Sequence, residues 1–289
     1  NDEIVVFDMK DLSKDDYENF FLFCEKVGFE EEYVTYAKYK DFMHRYKINS
    51  LEETEGIIEK QRMIKDPEEI DLILKACKIT DDCFEHLKSF IKIGLTEKQI
   101  AKEIDEFFIG HGADDVAFST IVASGKNSSK PHAIPSDKKI EAGDPITIDM
   151  GCKVNGYCSD MTRTIFVGEP TEEMKKIYDL VLNNQKFALD QYKDGANARQ
   201  ITKMVESNFK LNGGYDLIHR LGHGVGLEIH ELPYMSYRFD TMLRENMVVT
   251  DEPGIYIPGK FGVRIEDTVQ ITKFGCISLT NSEKNYIII

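Results

Sequence analysis

The stretch PITIDMGCKVNGYCSDMTRTIFVG, Pro145–Gly168, decides how this chain folds. Asn155-Gly156 at its centre is the strongest short signal for a two-residue hairpin, because a type I′ turn needs positive φ at both central residues. With those two residues as the loop, Val154 pairs with Tyr157. The same register sets Gly151 opposite Asp160 and Asp149 opposite Thr162. Side chains opposite one another share a face, as do residues i and i+2. Asp149 and Asp160 therefore point to one side as diagonal neighbours, roughly 7–8 Å apart at the backbone. Apolar residues surround them on the strand: Ile146, Ile148 and Met150. A charged pair rising from such a strand is costly unless something compensates it. Taken alone, the pair also fits two exposed aspartates on a half-solvated sheet.

Working outward, MVVTDEPGIYI places Glu252 at the end of an apolar strand, just before a Pro-Gly turn. In FGVRIEDTVQI the alternation sends Val263 and Ile265 to one face and Arg264, Glu266 and Thr268 to the other. A surface strand would also look like this. Together, however, four acidic groups on strands form a carboxylate-rich set. With one histidine they suit Mn²⁺, Fe²⁺, Co²⁺ or Zn²⁺ in a two-metal centre.

The stretch HRLGHGVGLEIHELP, His219–Pro233, holds three of the seven histidines. The i, i+4 spacing of His219 and His223 resembles a helical zinc grip. Gly222, Gly224 and Gly226 argue against a helix there, each costing about 1 kcal/mol against Ala, and the chain contains no H-E-x-x-H. An extended or bent segment is expected instead.

At 289 residues the chain suits one large domain with a smaller piece. A net charge of −15 argues against nucleic acid as a partner. No apolar run of 18 residues is present, so no membrane span is expected. Six cysteines without C-x-x-C pairs point to free thiols and a reducing cytoplasm. Ile4–Ser13 reads as a strand leading into a helix, and further helical patches follow. This opening section, 1–56, is expected to be the tail of a domain that begins upstream. From Ile57 helical spacing takes over: two stretches, the second opened by Pro67, then a helix capped by Thr96 and Gln99, and two more ended near Tyr192 and at Gly213-Gly214. Helices and antiparallel hairpins alternate in blocks, which predicts an α+β domain over 57–289.

Five segments then occur in a familiar order: PHAIPSD, DMGCKVNGYCSDMTRT, HGVGLEIHELP, EPGIYIPG and GVRIEDTV. This series resembles the Xaa-Pro peptidases, prolidase and aminopeptidase P, of the pita-bread superfamily that also includes methionine aminopeptidase. DMTRTIFVGEP and GVRIEDTV resemble the proline-specific branch. The resemblance implies a pita-bread catalytic domain preceded by the C-terminal remnant of an α/β N-terminal domain. It implies that Asp149, Asp160, His223, Glu252 and Glu266 ligate two divalent ions, manganese first, with cobalt, zinc or iron as alternatives. With all five in place, metal-free relatives such as creatinase match poorly. His132, His219 and His230 would face the substrate, Arg264 would lie beside the metal site, and Glu252 would accept a proton. The implied reaction is cleavage of the bond before proline at the N-terminus of a short peptide, by a cytoplasmic homodimer. A strict dipeptidase also needs a cation for the free proline carboxylate. Arg238 and Arg244 are the candidates, against the plainer reading of a solvated basic loop. A non-catalytic binding protein on the same scaffold is the rival, and the intact ligand set speaks against it.

Overall fold

The computed structural model describes residues 13–22, 24 and 26–289; the strand expected to open at Ile4 lies outside the described residues. The chain divides into two compact units, 1–61 and 62–289. In the first, α1 (Lys14–Asn19) is followed by β1 (Val27–Phe29), α2 (Tyr36–Arg45) and β2 (Leu51–Glu53). β1 and β2 pair in parallel, with Val27 opposite Leu51. Thr35 caps α2 by accepting from the Lys38 amide. α3 (Ile57–Arg62) runs to the unit boundary.

The second unit opens with α4 (Pro67–Phe90) and α5 (Glu97–Gly110). Both start in capping boxes, Asp66 with Glu69 and Thr96 with Gln99, and Pro67 fills the first turn of α4. Each box satisfies amides that a helix start leaves without partners. After β3 (Asp115–Val116) and β4 (Ile121–Ser124) comes the hairpin region: β5 (Pro145–Met150), β6 (Cys152–Val154), β7 (Tyr157–Cys158) and β8 (Met161–Phe166). Val154 pairs with Tyr157 and Asp149 with Thr162, as the loop residues dictate. Asn155 and Gly156 have φ of 48° and 86°, as a type I′ turn requires. The ribbon is divided between two sheets, with order β4-β5-β8 and β3-β6-β7.

Helices α6 (Glu172–Leu189) and α7 (Ala198–Gly213) follow. Gly214 ends α7 in the left-handed conformation at φ 74°. The remaining strands are β9 (Gly222–Gly224), β10 (Glu231–Met235), β11 (Val248–Asp251), β12 (Gly254–Ile257), β13 (Phe261–Arg264), β14 (Asp267–Ile271) and β15 (Cys276–Ser278). They form a β10-β9-β11-β14-β15 sheet and a β12-β13 hairpin. Among the described residues no helix is long and apolar enough to cross a membrane. All six cysteines are free thiols.

Two apolar cores carry the sheets. Phe84, Leu87, Ile100 and Phe108 of α4 and α5 pack with Ile146, Ile148 and Ile165. Tyr178, Val181, Val205 and Phe209 of α6 and α7 pack with Val249, Val263 and Val269. Burying a side chain such as Leu87 or Phe209 contributes about 1.5–3 kcal/mol. Apolar residues thus anchor β5, β8, β11, β13 and β14 to helices. Threonines then link the two halves: Thr164 donates to the Arg264 carbonyl at 3.0 Å and Thr268 to the Asp160 carbonyl at 2.7 Å.

One expectation needs correction. FGVRIEDTVQI, read from the sequence as one strand, is two. It changes sheets at Ile265–Glu266, β13 pairing with β12 and β14 with β11. Both faces are buried: Val263 and Ile265 are fully enclosed, and Arg264, Glu266 and Thr268 are 3% or less exposed. The charged face is covered because the β5–β8 sheet lies against it, with Glu266 donating its amide to the Thr162 carbonyl.

Candidate metal centre

Asp149, Asp160, His223, Glu252 and Glu266 line one cavity of about 530 Å³. Five chain segments deliver them: β5, the turn before β8, β9, and the ends of β11 and β13. Ligand atoms of Asp160, His223 and Glu266 all lie within 4.8 Å of one another. His223 Nε2 sits 3.4 Å from Asp160 Oδ2 and 3.5 Å from Glu252 Oε1. Its ring is aimed by two bonds: Thr250 Oγ1 accepts from the backbone amide at 3.0 Å, and Nδ1 lies 3.1 Å from the Gly224 carbonyl. β9 runs between β10 and β11 in close contact. A Cβ on Gly222 would meet the Thr250 carbonyl at 2.1 Å, and one on Gly224 the Leu232 carbonyl at 2.3 Å. These glycines therefore permit close strand approach as well as preventing a helix.

Arg264 sits behind the carboxylates, 3% exposed. It donates from Nη2 to Asp149 Oδ2 at 2.6 Å, from Nη1 to Tyr256 Oη at 2.7 Å, and from Nε to Thr162 Oγ1 at 3.0 Å. Thr162 donates in turn to Glu266 Oε2 at 2.5 Å. His219 is held by Tyr256 Oη, 3.0 Å from Nε2, and by the Arg220 carbonyl, 2.7 Å from Nδ1. That Nδ1 is 4.0 Å from Glu252 Oε2. The His230 ring meets His223 edge-on, centroids 4.3 Å apart. His132, exposed, reaches the same cavity from the segment after β4. Both ends of that segment are tied to the buried Glu97, which accepts from Ser124 and Ser136. Glu231, beside His230, accepts from Arg62 at 2.5 Å and from buried Lys65 at 2.6 Å.

Every residue named from the sequence for the metal centre or for facing the substrate is therefore in one cavity. The two carboxylate-receptor candidates are not. Arg238 lies over the Tyr237 ring and Arg244 approaches Asp194 at 3.9 Å; both are exposed and neither lines the cavity. Three supporting residues had no assignment from sequence: Thr162, Tyr256 and Arg220. Thr162 was within reach, since the hairpin register puts it opposite Asp149. Tyr256 and Arg220 have no such signal, because their contacts are side-chain packing that no turn residue or periodicity sets.

The electrostatics are those of a site short of positive charge. Burial, then Glu266, Asp149 and Glu252, push the Asp160 carboxyl well above its usual range. Burial, Glu252 and Asp149 do the same to Glu266. Burial lifts Glu252 to about 8 despite Arg264. Burial and His230 lower His223 to about 3; burial and Arg264 lower His219 to about 4. Four carboxylates thus face a single buried guanidinium, beside imidazoles kept neutral, of which His223 turns Nε2 to the carboxylates. Among the described residues, buried Asp149 Oδ1 has no hydrogen-bond partner. Such an orphan costs free energy unless something not present among the protein atoms satisfies it. Oxygen donors, one neutral imidazole and an unmet carboxylate atom fit divalent cations.

Comparison with known proteins gives the family and the fold. Residues 71–273 match metallopeptidase family M24. The chain is 42% identical over 264 residues to the Xaa-Pro dipeptidase of Pyrococcus furiosus, covering 91% of this chain and 76% of that protein. The solved Xaa-Pro dipeptidase from Bacillus anthracis superposes with a TM-score of 0.91 at 41% identity, covering 96% and 78% of the two chains. An X-Pro aminopeptidase from Thermotoga maritima gives 0.91 at 36% identity, covering 99% and 81%. The α+β architecture is therefore the pita-bread fold of these peptidases. With the family matched over most of the catalytic unit, this chain belongs to metallopeptidase family M24.

Proposed function

We propose that the protein is an Xaa-Pro dipeptidase that works with two divalent ions held by Asp149, Asp160, His223, Glu252 and Glu266. The observation that carries this reading is the unmet negative charge of the cavity, with Asp149 Oδ1 buried and unpaired among the described residues. Manganese is the first choice; cobalt, zinc and iron suit the same donors. When bound, such ions lower the pKa of water towards neutrality and polarise a carbonyl.

The chain's own residues do the rest. Glu252 Oε2 faces both the cavity and His219, where it is placed to take a proton from the attacking water and pass it on to the leaving proline nitrogen. Tyr256 and the Arg220 carbonyl fix the His219 ring, so its orientation is set before substrate arrives. His230, on the other side of His223, is placed to donate to a developing oxyanion. Arg264 holds Asp149 and, through Thr162, Glu266 at fixed distances. A free substrate amine beside these carboxylates limits action to the N-terminus. The pocket near His132 and His219 is where the proline ring would be held.

A second reading, Xaa-Pro aminopeptidase action on longer peptides, is favoured by the likeness to the Thermotoga maritima structure. Hydrolysis of Ala-Pro and Ala-Pro-Ala, in Mn²⁺ and then in EDTA, tests both. Cleavage of Ala-Pro alone, abolished by EDTA and restored by Mn²⁺, is expected. Equal cleavage of the tripeptide transfers the reading to the aminopeptidase, and turnover indifferent to EDTA overturns the metal centre.

A further inference from the structure

We infer that Arg220 is the receptor for the free carboxylate of the substrate's proline, and so sets the peptide length the site accepts. This rests on the Xaa-Pro reading above. In an Xaa-Pro dipeptide the scissile nitrogen and the carboxylate are attached to the same Cα. The receptor must then stand on the wall of the cavity that holds the five proposed ligands, which removes Arg238 and Arg244 from consideration.

Two guanidinium groups line that cavity, Arg264 and Arg220. Arg264 is committed: Asp149, Tyr256, Thr162 and the Pro131 carbonyl take its donors. Arg220 is exposed and, among the described residues, no carboxylate or other side-chain acceptor pairs with its head. The head is nevertheless held in place. Its Cζ lies 3.9 Å from the centroid of the Tyr234 ring and 5.9 Å from that of Phe239. Contact with an aromatic ring occupies the flat face of a guanidinium and leaves its edge donors free. That planar fork matches a carboxylate with two parallel bonds, which an ammonium cannot do. Tyr234 is on β10, whose first residue, Glu231, is fixed by Arg62 and Lys65, so the platform is rigid. Arg220 also directly precedes Leu221 and β9, three residues before His223, so the backbone holds it beside the metal centre. A longer peptide presents an amide where Arg220 offers its guanidinium fork, and loses the charge-assisted bond.

The test compares kcat/KM for Ala-Pro with that for Ala-Pro-amide, which differ only in the group read, on the full chain in Mn²⁺. Wild type is expected to favour the acid by roughly tenfold or more, the worth of one hydrogen-bonded charge pair, with the preference shrinking in salt. In Arg220→Gln the acid-to-amide ratio should fall to near one, through KM of the acid; Arg220→Lys should retain part of it. Any general loss caused by the substitution divides out of the ratio. A wild type that cleaves both equally overturns the assignment whatever the variants do, as does an Arg220→Gln ratio equal to wild type. A wild type that cleaves neither substrate overturns the Xaa-Pro reading instead.

Discussion

Glu266 and Asp267 are adjacent in the chain and both are buried, at 1% and 0% exposure, yet their surroundings treat negative charge in opposite ways. Asp267 accepts from Arg163 at 2.7 Å, Gln185 at 2.9 Å, Thr280 at 3.1 Å, and Lys284. Burial works against its charge, but Arg163 and Lys284 outweigh it and hold the carboxyl below its usual range. Glu266 receives Thr162 and faces Asp160, Asp149 and Glu252, and its carboxyl is pushed well up. Both are buried acids one residue apart, on opposite faces at the start of β14. Burial alone therefore does not mark a site; charge without a partner does.

Substitutions that remove each charge should separate the two. Glu266→Gln should lower kcat/KM for Ala-Pro in Mn²⁺ by about 10³-fold or more, as expected when a group central to the chemistry is lost. Its thermal unfolding without metal should match or exceed that of wild type, since one of four mutually repelling carboxylates is gone. The rise in melting temperature on adding Mn²⁺, present in wild type through binding to the folded state, should shrink. A metal-free variant clearly less stable than wild type would break the contrast.

Asp267→Asn should show the reverse. It leaves Arg163, 1% exposed, without its carboxylate, and stability measured by urea should fall by about 3 kcal/mol with or without Mn²⁺. A loss that Mn²⁺ repairs would place Asp267 with the cavity acids instead.

How much of this could be read in advance depends on the range of each contact. The hairpin register from Lys153–Cys158 back to Pro145–Phe166 follows from two turn residues, because a β-ribbon propagates its pairing locally. The capping boxes at Asp66 and Thr96 are equally local, though only the second was named from sequence. The carboxylates were visible as types on strands, and the family likeness assigned them roles. What could not be read was what lies across the cavity. Arg264 bonds Asp149, 115 positions away, and Tyr256 joins Arg264 to His219 through two hydrogen bonds that no periodicity encodes. The change of sheet at Ile265–Glu266 was missed because alternation continues unbroken through it; only the partners change. Arg238 and Arg244 were the cations named from the sequence, and only the folded chain shows that neither lines the cavity while Arg220 does.

Glu97 extends the comparison to a third buried acid, and gives the smallest expected effect. It has no exposure, and no cation pairs with it among the described residues, yet it resembles Asp267 rather than Glu266. Neutral donors replace the missing positive charge: the amide and hydroxyl of Ser124, the amide and hydroxyl of Ser136, and the side-chain amide of Asn127. Burial raises its pKa, but these bonds outweigh burial and bring it below the usual 4.5. A carboxyl whose folded pKa is depressed stabilises the fold above its unfolded pKa, and that contribution is lost as pH falls through the folded value. Glu97→Gln should therefore cost about 2 kcal/mol at pH 7, the loss of hydrogen bonds to a charged acceptor. The difference between wild type and variant in urea unfolding should narrow steadily below about pH 4.5. A difference that stays constant on acidification would mean that the shape of the side chain, rather than its charge, holds the His132 segment in place.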